Sequence, residues 1–166
     1  MCVVHPGGPG LSWRYLRMPE LEKRLTLVYL EPIGSGASSR LPSGEYYTMQ
    51  RYSDELERFV AALGLGRLCV IGHSHGGLVA QRFAIDHPDR VSALVLYGAS
   101  SRGDQEFFAA FLKSIERSAA KPWFAEASAA LLKDDPKTDA ETTASWMHQL
   151  PLYFDDYDRE ARAPAV

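Results

Sequence analysis

A serine stands among glycines and histidines at Gly72-His73-Ser74-His75-Gly76-Gly77, where the apolar run Leu68–Ile71 ends and an amphipathic stretch from Leu78 begins. Strand, sharp turn and helix with a serine at the apex is the G-x-S-x-G spacing of a nucleophile elbow. The chemistry it allows is attack of a hydroxyl on a carbonyl carbon. A serine hydroxyl is a poor nucleophile unless it is held out at a tight turn. There a base reaches it and backbone N–H groups receive the oxyanion. Gly72, Gly76 and Gly77 suit such a turn because a side chain would collide with the neighbouring strand or helix.

A second motif supports the first. His5-Pro6-Gly7-Gly8-Pro9-Gly10 is a glycine-rich turn directly after the apolar residues Cys2–Val4. One oxyanion donor of an elbow serine is the N–H of the following residue, here His75. The other comes from the loop after a neighbouring strand, here the N–H of Gly8. Gly7, Pro9 and Gly10 shape a loop in which the main chain itself approaches the substrate. Taken alone, Gly72 to Gly77 would also suit a plain strand-to-helix turn; the paired loop argues against that.

The elements that must position these residues are legible in outline. Four short apolar runs, Cys2–Val4, Leu25–Leu30, Leu68–Ile71 and Ala93–Tyr97, read as strands. They do not alternate with polar residues, the pattern of strands buried on both faces in a parallel sheet. Ser53–Leu63 reads as a helix with Leu56, Phe59, Val60 and Leu63 on one face, stopped by Gly64 and Gly66. Leu78–Ile85 reads as the helix after the elbow. Alternating strands and helices predict an open α/β fold. Beyond Gly98 the chain turns helical: Phe107–Ile115, Ala125–Leu132 and Thr142–Leu150 carry the periodicity, and Pro122, Pro136 and Pro151 punctuate it.

The chain resembles α/β-hydrolases of the proline iminopeptidase-like group, which carry H-G-G-P-G after a strand and G-x-S-x-G-G at the elbow. Gly7-Gly8-Pro9-Gly10 and Gly72-His73-Ser74-His75-Gly76-Gly77 match, with Pro6 inserted after His5. Glu31-Pro32-Ile33-Gly34-Ser35-Gly36-Ala37-Ser38 is similar to the group's D-x-R-G-x-G-x-S loop, departing at Glu31 and Ile33. Asp86-His87-Pro88-Asp89-Arg90-Val91 is similar to its link between the post-elbow helix and the next strand. The resemblance implies a partial α/β-hydrolase core of about four parallel strands over residues 1–103 and a helical cap over 104–166. It implies acyl-enzyme chemistry at Ser74 on short peptides, with removal of an N-terminal proline as the leading activity. An esterase, lactonase or amidase of the same fold is the alternative. In this group cap carboxylates hold the substrate amine; Glu126, Asp155 and Asp156 are acids of that region, and no motif assigns the role among them.

Chain order in this fold is serine, acid, histidine. The resemblance places the acid and the histidine after strands that follow the cap, so both are expected beyond Val166. The 166 residues are expected to be an incomplete member, inactive alone, with Ala93–Tyr97 an uncovered apolar edge. None of His5, His73, His75, His87 and His148 has an evident carboxylate partner, and packing or bracing roles are expected for them. Gly34-Ser35-Gly36 faintly matches a dinucleotide loop but lacks the third glycine and an immediate helix. No metal or cofactor is implied. A net charge of −3 argues against nucleic acid or an anionic membrane as partner, and no apolar run approaches a membrane span of roughly 18 or more residues. Cys2 and Cys69 are expected as buried thiols, and a cytoplasmic location follows.

Overall fold

The computed structural model describes residues 1–8, 10–42, 46–132, 138–154 and 157; Pro9, Asp155 and Asp156 lie outside the described residues. The chain divides into two compact units, Met1–Gly103 and Asp104–Val166.

The first unit is built on four parallel strands, β1 (Cys2–His5), β2 (Leu27–Tyr29), β3 (Leu68–His73) and β4 (Val91–Tyr97), in the order β2-β1-β3-β4. β1 sits against β3 with Val3 opposite Val70, Val4 opposite Ile71 and His5 opposite Gly72. The two-residue period of a strand then divides the core between the two faces. Val3 and Val70 pack with Tyr52, Leu56 and Val60 of one helix and Val79, Ala80 and Phe83 of another. Cys2, Val4 and Ile71 form a thinner cluster on the other face with Leu16. This is the open α/β architecture expected from the strand pattern, with the four-stranded parallel core that the resemblance implies.

The helices of this unit are α1 (Pro19–Glu22), α2 (Met49–Ala62) and α3 (His75–Asp86), with a 3-10 turn at Trp13–Leu16. α1 and the turn, too short for periodicity, have no counterpart in the sequence reading. α1 also shortens β2: the Leu25 N–H bonds back to Leu21 O, so Leu25 closes the helix instead of opening the strand. α2 starts before Ser53 because Thr48 Oγ1 accepts the Arg51 N–H at 3.1 Å, an N-cap. Leu63 lies just past its C-terminal end and is exposed, which corrects its expected place on the buried face. Ser53 donates to Asp86 (3.1 Å), which also receives Arg82 (2.8 Å), and this ties α2 to α3. Arg90 bridges Glu57 (2.9 Å) and Leu65 O (2.9 Å), holding the start of β4 to the α2 end.

β1 is buried along its length, as expected of a central strand. β2 and β4 are the outer strands, and β4 is the open apolar edge expected of Ala93–Tyr97, with Val95 and Tyr97 46% and 57% exposed. An open apolar groove of about 550 Å³ borders it, lined in part by Leu16, Met18, Ile71 and Val95. Cys2 and Cys69, opposite one another across β1 and β3, are free thiols, Cys2 buried and Cys69 only partly so. Burial, with the Cys2 thiol beside it, pushes the Cys69 thiol up to about 12.

The second unit contains helices α4 (Gln105–Ile115), α5 (Phe124–Leu132) and α6 (Asp139–Gln149) and no strand among the described residues. A capping box of Thr138 and Glu141 starts α6, and Gln149 Nε2 donates to Ala130 O to join α6 to α5. Its aromatics pair with each other, Trp146 with Tyr153 and Trp123 with Tyr157. Glu126 lies 2.7 Å from His148. Among the described residues no helix is long and apolar enough to cross a membrane.

Candidate active site

β3 runs into α3 with a single residue, Ser74, between them. Ser74 has φ 50 and ψ −120 and is the only non-glycine described residue with positive φ. Such a conformation persists only where surrounding contacts enforce it. Here the Ser74 N–H donates to Tyr97 O (3.0 Å), and Ser74 O accepts the Gly77 N–H (2.9 Å). The glycines permit the crowding. A Cβ on Gly72 would overlap Gly76 and Gly77 of α3; one on Gly77 would overlap Ala99; one on Gly76 would overlap the carbonyls of His5 and Pro6. Strand, helix and glycine-rich loop therefore approach closely, largely through main chain.

The loop after β1 lies beside this turn. A Cβ on Gly7 would stand 3.1 Å from Ser74 Cβ and 2.9 Å from His73 Nδ1. The Gly7 N–H donates to Tyr15 Oη (2.7 Å), and Tyr15 Oη lies 2.7 Å from His73 Nδ1. His5 Nδ1 donates to Pro6 O (3.0 Å); the ring is fully buried, and desolvation lowers its pKa to about 4, so it is neutral. Gly8 (φ 113) and Gly10 (φ 91) take conformations that side chains disfavour. The N–H groups of Gly8 and His75 have no acceptor among the described residues. His75 is the first residue of α3, where N–H groups have no intrahelical partner and the helix dipole favours negative charge.

The structure thus gathers Gly7, Gly72, Ser74, His75, Gly76 and Gly77 at the carboxyl ends of β1 and β3. Gly8 and Gly10 extend the loop from there, with nothing within 4 Å of a Cβ on Gly10. Among the described residues, none of the four histidines of this unit is bonded to a carboxylate. His73 stacks near Tyr97 and His75 lies edge-on to Tyr52, both with ring centroids 4.9 Å apart, and burial lowers the pKa of each histidine. His87 packs on Phe83. The Gly34–Ser39 loop is closed by the chain's own Glu31, whose carboxylate accepts the Ala37 N–H (2.9 Å) and whose carbonyl takes the Ser38 hydroxyl (2.6 Å). Tyr15 is the site residue absent from the sequence reading; its contact spans 58 positions, and no local signal announces it.

The comparisons with known proteins agree with this arrangement. A 2-hydroxy-6-oxo-2,4-heptadienoate hydrolase from Pseudomonas putida is 37% identical over 103 residues, covering 60% of this chain and 37% of that protein. A human (lyso)-N-acylphosphatidylethanolamine lipase is 32% identical over 98 residues, covering 58% of this chain and 29% of that protein. A proline iminopeptidase structure from Mycobacterium smegmatis superposes with a TM-score of 0.65 at 23% identity, covering 99% of this chain and 54% of that one. That last likeness is one of fold. The matched region spans about a third of the length of the curated relatives, and the chain about half that of the solved structure. Residues 3–165 match the sequence pattern of the alpha/beta hydrolase fold family, to which this chain belongs.

Proposed function

We propose that the chain carries the nucleophile and the oxyanion site of a serine hydrolase. The observation that carries the reading is Ser74 at φ 50, forced into a half-buried turn at the head of α3 beside the Gly7 loop. Ser74 Oγ attacks a carbonyl carbon while a base takes its proton. The carbonyl oxygen becomes an oxyanion held by the N–H groups of Gly8 and His75. Collapse expels the leaving group with a proton, and water then releases the acyl group from Ser74. Gly7, Gly72, Gly76 and Gly77 serve this by keeping the main chain close, and Pro9 and Gly10 are assigned to loop support on the sequence motif. No described histidine of the first unit bonds a carboxylate: His5 and His73 are hydrogen-bonded to Pro6 O and Tyr15 Oη, and His75 and His87 pack on Tyr52 and Phe83. None of the four is taken as the base, and the 166 residues alone should leave prolyl and ester reporters unhydrolysed.

Short peptides with a free N-terminus, proline-led ones above all, are the substrate class the two glycine motifs support. An ester or other acyl substrate is the second reading; the heptadienoate hydrolase and lipase among the relatives favour it. The test is fluorophosphonate labelling of the protein expressed at the full length its gene encodes, followed by peptide mapping and a prolyl and ester reporter panel. Label on Ser74, lost in Ser74→Ala, supports the reading. A folded protein that hydrolyses its reporters equally well as Ser74→Ala overturns it. The faster reporter decides between the substrate classes.

A further inference from the structure

The peptide group between Pro6 and Gly7 is held at both ends. Its carbonyl accepts from His5 Nδ1 (3.0 Å) and its N–H donates to Tyr15 Oη (2.7 Å). The next peptide along the chain is the one that presents the Gly8 N–H, and Gly8 sits at φ 113. Nothing among the described residues bonds that N–H, so its direction is set by the peptide before it. Tyr15 also reaches across to the elbow, with Oη 2.7 Å from His73 Nδ1 and the two rings edge-to-face at 5.4 Å. One hydroxyl therefore touches both the glycine loop and the residue that precedes Ser74.

A phenol has one proton to give and two lone pairs. With one lone pair occupied by the Gly7 N–H, its O–H becomes the better donor, since hydrogen bonds in a chain polarise one another. A neutral His73 offers Nδ1 as the acceptor, and its own proton then resides on Nε2. We propose that Tyr15 is a positioning residue: its hydroxyl takes the Gly7 N–H, gives its proton to His73 Nδ1, and so fixes the oxyanion loop to the elbow with the Gly8 N–H turned toward the reacting carbonyl. The proposal rests on the reading of Ser74 as nucleophile. It adds a role for a residue that touches neither substrate nor reacting atoms.

Tyr15→Phe keeps the ring against His73 and removes only the hydroxyl. In the full-length protein the variant should lose about ten- to a hundredfold in kcat and in the rate of fluorophosphonate labelling, the scale of a misplaced oxyanion donor, with KM within about twofold. A purely structural tyrosine would lower the melting temperature and leave the kcat-to-KM split untouched. A second measurement needs no variant to fold: nitrogen-15 spectra of the wild-type imidazoles should show His73 as the Nε2–H tautomer. His73 found as the Nδ1–H tautomer overturns the proposal, as does labelling at an unchanged rate in Tyr15→Phe, and both leave Ser74's role standing. A folded Ser74→Ala protein that hydrolyses its reporters as well as the wild type overturns the hydrolase reading, and the positioning role with it.

Discussion

Ser74 is held where an L-residue loses about 1–3 kcal/mol of backbone energy. Glycine tolerates that region, so Ser74→Gly should raise stability by about 1 kcal/mol in urea unfolding, while Ser74→Ala should not. Both should abolish labelling. Gly76→Ala should act oppositely, costing about 2 kcal/mol or more, because the added methyl meets the His5 and Pro6 carbonyls, which are main chain and do not swing aside. His5 supplies a pH dependence. Its folded pKa of about 4 lies below the ordinary 6.5 because burial disfavours the charged ring. Below pH 6.5 the unfolded chain takes up a proton that the fold refuses. The stability His5 contributes is therefore complete above 6.5 and lost as pH falls toward 4, by about 3 kcal/mol in all. His73 and His75, lowered by burial too, act in the same direction. Unfolding midpoints between pH 7 and 4 should show the slope, and His5→Asn should flatten it.

The elements show why some of this was legible and some was not. The elbow and the glycine loop are contiguous stretches whose residue types state their own geometry, so the turn at Ser74, Gly76 and Gly77 is legible in the sequence. Strand ends and helix starts depend on single hydrogen bonds. Leu25 reads as a strand residue until its N–H is seen on Leu21 O, and α2 reads as starting at Ser53 until Thr48 is seen as its cap. Tyr15 shows the further limit, since its partner His73 is brought there by the parallel pairing of β1 with β3 and not by anything near position 15. The cap residue gives a clean measurement: Thr48→Ala should cost about 1 kcal/mol in urea unfolding and leave the elbow intact.

The sheet of the first unit ends on β4, whose residues Leu94 to Tyr97 are partly open to solvent and carry no charge. β4 has a register shift at Ser92, but from Ala93 to Tyr97 it runs regularly without lysine or proline, and such an exposed apolar edge is a template for pairing with another chain. The 166 residues should accordingly associate as concentration rises, and Val95→Lys should reduce that association in light scattering without loss of secondary structure.

β4 also holds the Ser74 turn, because the Ser74 amide donates to the carbonyl of its last residue, Tyr97. Gln81 of α3 reinforces the link by bonding Ser100 O just beyond (2.8 Å). The Ser74 turn is thus suspended from an edge strand, the more exposed of the two, so fraying of that strand loosens the turn with it. In hydrogen–deuterium exchange the Ser74 amide should open in step with β4 and not with the buried β1. Whatever comes to shield that edge would set how long the serine stays cocked.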